Sequence, residues 1–267
     1  TNPGYIQVDG STKKDPVNYK KVDLKKIITK SSQVGAIKLG LAMGEAPMLD
    51  VLSRVGFGTA MGTGFPGETS GVLPSFSRWS KSDIATLAYG YGFQVTPLQM
   101  AQAYMIYANE GIRKPVSLLK TEGPVYGERV IDAEIAREVN AMMETVVSTK
   151  LGGTGVLAAI PSHQVAGKTG TAWYYNVGGG YDEENYNSYF AGFVPAHNPK
   201  IVAVVSIHEP KGEEYGGGRV AAPVFAKIAA GAMRILNVPP DSAVEDRQVS
   251  MSGIIGSDKQ SASWRDL

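Results

Sequence analysis

Val165-Ala166-Gly167-Lys168-Thr169-Gly170-Thr171-Ala172-Trp173-Tyr174-Tyr175 is the stretch on which the fold turns. Gly167-Lys168-Thr169 is the ending of a phosphate-binding loop, and that reading would make the chain a parallel α/β protein. A Walker A loop needs Gly-x-x-x-x-Gly-Lys-Thr between a strand and a helix. Here the position five residues before Gly167 is Ser162, and Gly-Thr-Ala-Trp-Tyr-Tyr follows Thr169. That continuation is aromatic and strand-like, so no helix N-terminus is on offer to hold a phosphate. The stretch is a strand.

Its neighbours extend the pattern. Residues 164–171, 187–194 and 201–208 are short, β-rich and separated by turn residues, which predicts successive antiparallel strands. Upstream the spacing is helical. Leu24, Ile27, Ile28 and Ser31 follow an Asp23 cap; Val34, Ile37 and Leu41 continue; Met48, Val51, Leu52 and Val55 run up to Gly56. Residues 56–78 are rich in Gly, Pro, Ser and Thr and read as a long loop, a length that is usually functional. Thr96-Pro97-Leu98-Gln99 spells a capping box with Pro at the first helical position, opening a helix that stops at Gly111. Asp132 opens another, with Ile135, Val139, Met142 and Val146 as its expected buried stripe. A last helix is expected from Pro223 to about Leu236. Helices in a block followed by a strand meander indicate an α+β fold. From Val238 onward Pro, Asp, Ser and Gln dominate, so the expected division is a folded unit over 1–237 and a poorly ordered tail over 238–267.

The 267 residues carry 26 basic and 25 acidic side chains, a net charge of +1, and no global field directs the chain to nucleic acid. Cysteine is absent, which excludes disulfides, thiolate metal sites and a Cys nucleophile. No apolar run reaches the roughly 20 residues needed to cross a bilayer. The chain opens on Thr1, and its first residues read as the middle of a larger protein.

Two further patterns are weak. Gly62-Thr63-Gly64-Phe65-Pro66-Gly67 spells a dinucleotide fingerprint, but Pro66 and the following Glu-Thr-Ser-Gly cannot open the required helix, so a turn-rich loop is expected. His163, His197 and His208 stand far apart without metal spacing, and all three read as structural or surface residues.

Lys168-Thr169-Gly170-Thr171 on an edge strand has a chemistry of its own. The Lys supplies a cation, the two hydroxyls can bind a carboxylate, and Gly170 lets a substrate backbone lie flat. Free edge N–H groups can pair with that backbone or form an oxyanion hole. A partner stands at the junction of two helical patterns, where Lys30-Ser31-Ser32-Gln33-Val34-Gly35 offers two hydroxyls and a carboxamide. The pair resembles the second and third motifs of penicillin-binding proteins and serine β-lactamases.

The likeness extends through Asp15-Pro16-Val17-Asn18-Tyr19, Tyr89-Gly90-Tyr91-Gly92, Val95-Thr96-Pro97-Leu98-Gln99-Met100-Ala101, Tyr189-Phe190-Ala191-Gly192-Phe193-Val194-Pro195 and Tyr215-Gly216-Gly217. These stand in the order of the class B penicillin-binding proteins, with most similarity to the septal, cell-division branch. The resemblance implies the penicillin-binding fold, an antiparallel sheet flanked by helices. It also implies a serine D,D-transpeptidase that cross-links peptidoglycan stem peptides ending in D-Ala-D-Ala and is trapped by β-lactams. It assigns Ser31 as a proton-relay hydroxyl and Lys168 as the positive field. Ser32, Gln33, Thr169, Gly170, Thr171, Tyr215 and Gly216 fall at the substrate. No metal or organic cofactor is implied. Divisome membrane proteins are the implied partners, and the implied location is the bacterial inner membrane with the domain facing the periplasm.

Such enzymes acylate the serine of Ser-x-x-Lys on a helix. Ser11-Thr12-Lys13-Lys14 matches, but Asp15-Pro16 follows and Pro cannot sit inside a continuing helix, so no helix is expected beneath Ser11; the resemblance implies a surface hairpin there. The resemblance puts the true motif upstream of Thr1, in a missing part of the same protein or on a separate chain. Gln33 stands where that branch has Asn, which puts substrate geometry in question. A non-catalytic peptide-binding or partner-binding module and a D,D-carboxypeptidase or β-lactamase are the rival readings.

Overall fold

In the computed structural model, which describes residues 1–176 and 179–241, the chain opens with a hairpin. β1 (Tyr5–Val8) and β2 (Ser11–Lys14) pair antiparallel around Asp9-Gly10. Both turn residues have positive φ, 45° and 82°, which a two-residue turn needs to match strand twist. α1 (Leu24–Lys30) is capped by the Asp23 carboxylate, α2 (Gln33–Met43) by the Ser32 hydroxyl, and α3 (Glu45–Arg54) ends just before Gly56 at φ 99°. Residues 57–80 then run without a regular element, the long loop expected.

α4 (Lys81–Ala88) was not anticipated, although Ser80 and Asp83 form a complete capping box; its eight residues are too few for a clear apolar period. α5 (Pro97–Ala108) starts as its sequence predicts, with both bonds of the Thr96–Gln99 box present. The same Gln99 is 1% exposed, and its Nε2 donates to the carbonyls of Ser70 (2.8 Å) and Thr59 (3.0 Å). One side chain therefore caps the helix and ties the long loop down. β3 (Ile112–Arg113) and β4 (Glu128–Arg129) pair antiparallel, and α6 (Ala133–Val147) follows its Asp132 cap.

The α6 stripe differs from expectation in part. Val146 is buried and Val139 packs beside Phe193 as expected, but Ala136, Met143 and Val147 are buried as well, whereas Ile135 is 55% exposed. The helix is rotated so that its small Ala136 meets α5 and the 130–131 segment, a choice set by the partner surface rather than by hydrophobicity alone.

β5 (Ala166–Tyr175), β6 (Tyr181–Val194) and β7 (Ile201–His208) form an antiparallel sheet in that order, with Lys168 opposite Ala191 and Thr171 opposite Ser188. α7 (Gly217–Val220) and α8 (Ala222–Ile235) close the described fold. Period two along β6 sends Phe190 and Val194 to one face, against Phe225, Ala229 and Met233 of α8. Phe193 goes to the other, against Met143 of α6 and Tyr104 of α5. Each fully buried Phe contributes about 1.5–3 kcal/mol over an exposed one. The sheet is thus clamped between α8 and the α5–α6 pair, the α+β arrangement expected.

Among the described residues no helix is long and apolar enough to cross a membrane. The expected disordered tail falls largely on residues 242–267, outside the described ones. Its first residues are held: His163 Nε2 lies 3.1 Å from the Pro239 carbonyl, and Gln164 N–H donates to the Asp241 carboxylate at 2.8 Å.

Candidate active site

β5 is an edge strand, and one bond fixes which of its groups are open. The Trp173 N–H donates to the Tyr91 hydroxyl at 2.9 Å, away from β6. Backbone groups alternate sides along a strand, and the register is regular from Ala166 to Trp173, so Thr169 and Thr171 also turn their N–H and C=O outward. The Thr171 N–H therefore lies on the open side, among the free edge N–H groups that can pair with a substrate backbone or form an oxyanion hole.

Lys168 Nζ donates to Ser31 Oγ at 2.8 Å and to the Thr169 carbonyl at 3.0 Å. Burial pulls the ammonium down to about 8. The serine comes from a break between helices. Ser31 is the C-cap of α1 at φ 53°, a left-handed conformation that a non-Gly residue adopts only under constraint. Its N–H closes α1 on the carbonyls of Ile27 and Ile28, and the chain then restarts at Ser32 as α2. Asp15 supplies the constraint on that side. Its buried carboxylate accepts from the Ser32 hydroxyl at 2.6 Å and from the Val34 N–H at 3.1 Å. On the other side of the break Thr29 Oγ1 meets Thr145 Oγ1 of α6 at 2.5 Å, docking α1.

Ser32 therefore needs correction. It is 2% exposed, and its hydroxyl is spent between Asp15 and the Gly35 N–H at 2.9 Å, so it shapes the junction and does not face a substrate. Gln33, the first residue of α2, is partly buried.

The threonines divide the work. Thr169 Oγ1 is 2.8 Å from Thr154 Oγ1 and 3.5 Å from Lys168 Nζ. The exposed Thr171 accepts the Gly217 N–H at 3.0 Å, which couples β5 to the start of α7. Gly170 has an ordinary φ, and a Cβ there would meet Tyr189 at no less than 3.4 Å, so crowding from its own fold does not demand glycine. Its bareness leaves room above the strand. Tyr215 is half exposed and stacks on Tyr186 with ring centroids 4.1 Å apart, its carbonyl accepting the Ser188 hydroxyl; Gly216 caps α7 beside it. Both rim the same end of the sheet.

Neither Ser-x-x-Lys in the chain sits on a helix. Ser11 lies on β2, where residues three apart point to opposite faces, so Lys14 cannot reach it. A second match, Ser117-Leu118-Leu119-Lys120, is exposed, non-helical and bonded within its own turn, Ser117 Oγ to the Leu119 carbonyl at 2.7 Å. The histidines hold structure. His163 is buried between Ser162 Oγ (2.8 Å) and the Pro239 carbonyl, His197 faces Glu144 at 3.6 Å, and His208 meets Asn187 at 2.7 Å. Among the described residues no cluster of His, Asp and Glu could hold a metal.

Residues 1–230 match the family model for the penicillin-binding protein transpeptidase domain. The chain belongs to this family. The transpeptidase domain is 42% identical over 236 residues to the peptidoglycan D,D-transpeptidase FtsI of Escherichia coli K12, covering 88% of this chain and 40% of that protein. It is 39% identical over 251 residues to the probable peptidoglycan D,D-transpeptidase PbpC of Pseudomonas aeruginosa, covering 92% and 44%. Its fold superposes on the solved transpeptidase domain of Burkholderia pseudomallei penicillin-binding protein 3 with a TM-score of 0.83, at 39% identity, covering 90% of this chain and 72% of that one. The chain spans about two fifths of the length of the two curated relatives.

Within the transpeptidase domain, sequence reasoning missed three residues at the site. Asp15 and Tyr91 stand in the sequence only as letters of family strings, Asp15 also as the residue before a Pro; Thr154 lies in a Gly-rich turn without period. Each acts through a partner 15 to 82 positions away, and no local pattern encodes such a partner.

Proposed function

We propose that this domain forms the substrate-gripping half of a serine peptidoglycan D,D-transpeptidase. The observation that carries the reading is the 2.8 Å contact from Lys168 Nζ to Ser31 Oγ, set beside an open strand edge with Thr171 N–H facing outward. Lys168 and the hydroxyls of Thr169 and Thr171 hold the terminal carboxylate of a D-Ala-D-Ala stem. The stem then lies antiparallel to β5, with its penultimate carbonyl at the Thr171 N–H. Gln33 contacts the acyl part.

A serine outside these 267 residues attacks the penultimate D-Ala carbonyl and forms an ester. The amide bond to the terminal D-Ala breaks, and the leaving amine takes its proton through Ser31, which Lys168 keeps oriented. Negative charge on the carbonyl oxygen is stabilised by the Thr171 N–H. The amine of a neighbouring stem then attacks the ester, a new amide forms, and the serine leaves with a proton. β-Lactams present the same carboxylate and carbonyl and stop at the ester. The membrane-anchored, periplasm-facing context and the divisome partners belong to this reading through the septal relatives.

The test uses the complete protein with a fluorescent penicillin and maps the labelled peptide. The label is expected on a serine preceding residue 1. Label on Ser11 or Ser117 overturns the mechanism, and no label at all favours a non-catalytic binding module. With a peptide donor, transfer to an amine over water separates a transpeptidase from a carboxypeptidase or β-lactamase.

A further inference from the structure

We propose that Tyr91 sets the length of the substrate edge, ending strand pairing at Trp173 so that only the Thr169–Thr171 segment of β5 can pair with the acyl donor; this rests on the transpeptidase reading. With the carboxylate held at the Lys168 end, an antiparallel donor runs toward Trp173 as it extends N-terminally from the D-alanyl pair. Successive outward groups on a strand are two residues, about 6.6 Å, apart, so Trp173 is the next pairing position after Thr171. Its N–H is already taken by the Tyr91 hydroxyl at 2.9 Å.

The cap is built rather than incidental. Tyr91 stands between Gly90 at φ 91° and Gly92 at φ 82°, backbone that bends the chain sharply on both sides. Its own N–H is fixed to the Thr86 carbonyl at 3.0 Å. The ring is wedged edge-on against Trp173 and Tyr181, with centroids 6.4 and 5.2 Å away, and tilted on Tyr89 at 5.4 Å. Burial raises the phenol above its ordinary range, so the cap is a neutral hydroxyl through physiological pH. The register of β5 with β6 also slips directly after Trp173, so the regular edge ends where the tyrosine sits. A donor that extends beyond the residue paired at Thr171 must leave the strand direction there and meet an aromatic wall. The edge selects a short extended end, not a long β-paired peptide.

Tyr91→Phe and Tyr91→Ala in the complete protein test this against two kinds of donor: benzylpenicillin, and D-alanyl thioester peptides lengthened at the N-terminus. The readout is the acylation rate for extended donors divided by that for penicillin. Release of one edge hydrogen bond, worth about 1 kcal/mol, is expected to raise the ratio about fivefold in Tyr91→Ala. Tyr91→Phe keeps the ring packing and is expected to speed amide exchange at Trp173 in the complete protein. An unchanged ratio with folded variants, or unchanged Trp173 exchange in Tyr91→Phe, overturns the inference. Failure of wild type to acylate with either donor overturns the transpeptidase reading instead, while the exchange measurement still decides the cap.

Discussion

Two glycine-bearing stretches of this chain look like ligand-binding motifs when read as letters, and the fold treats them in opposite ways. In the loop at residues 62–67 the leading backbone donors are already consumed. The Glu68 carboxylate accepts the N–H groups of Met61, Gly62 (3.0 Å) and Thr63 (3.0 Å), and the Thr63 hydroxyl at 2.8 Å. The loop carries its own anion, so the amides at its start already hold the negative charge that a phosphate would bring. At residues 168–171 the arrangement is inverted: the cation is held by neutral partners, and the Thr169 and Thr171 edge groups face outward. A motif becomes a site where its donors are left unspent.

The largest effect is expected from removing the unspent charge. Lys168→Ala in the complete protein should lower the acylation rate by penicillin by about 100-fold or more, because the carboxylate loses its cation and Ser31 its donor. Stopped-flow acylation measures this. A loss of less than about tenfold would mean that the two hydroxyls, not the charge, hold the substrate.

The pH responses separate the two stretches next. Glu68 titrates below the ordinary carboxylate range, held down first by the Thr63 hydroxyl and then by backbone N–H groups. A depressed carboxylate stabilises above its unfolded pKa and loses that contribution as pH falls through the folded value. Amide exchange at Met61, Gly62 and Thr63 should therefore quicken only on acidification below the ordinary range. Lys168 behaves in the other direction. Burial brings it to about 8, so carboxylate capture should fade as pH rises through about 8. Between that value and the ordinary lysine range the unfolded chain binds more protons, so stability should rise while capture falls. A pH series of penicillin acylation beside thermal unfolding would expose this divergence; a flat acylation profile through pH 8 would remove Lys168 from the substrate.

The same contrast explains what the sequence made legible. Thr96-Pro97-Leu98-Gln99 announced its helix because a capping box is complete within four residues, and the three strands were visible because β-rich composition and bounding turn residues are local. The refusal of a helix under Ser11 followed from Asp15-Pro16 alone. By contrast, nothing near Ser32 says that its hydroxyl turns inward, since the carboxylate that claims it is 17 residues away. The junction of Lys168 with Ser31 spans 137 positions. There the motif letters pointed to the partners, but the left-handed turn at Ser31 and its support by Asp15 exist only in the fold.

The smallest effect is expected at Gln33, where a substitution sharpens the comparison rather than breaking it. Its backbone is fixed, because Ser32 caps α2 immediately before it and Asp15 holds the next amide. Shortening the side chain by one methylene therefore moves the carboxamide by about one bond length, roughly 1.5 Å, without moving the helix. A neutral hydrogen bond to the acyl part is worth about 0.5–1.5 kcal/mol, so Gln33→Asn should change penicillin acylation by less than about tenfold. It should also shift the preference among donors that differ in acyl side chain, measured as a ratio of acylation rates. A loss as large as that from Lys168→Ala would instead put the Gln33 amide on the reacting carbonyl, and the division between a charged grip on β5 and a neutral contact on α2 would fall.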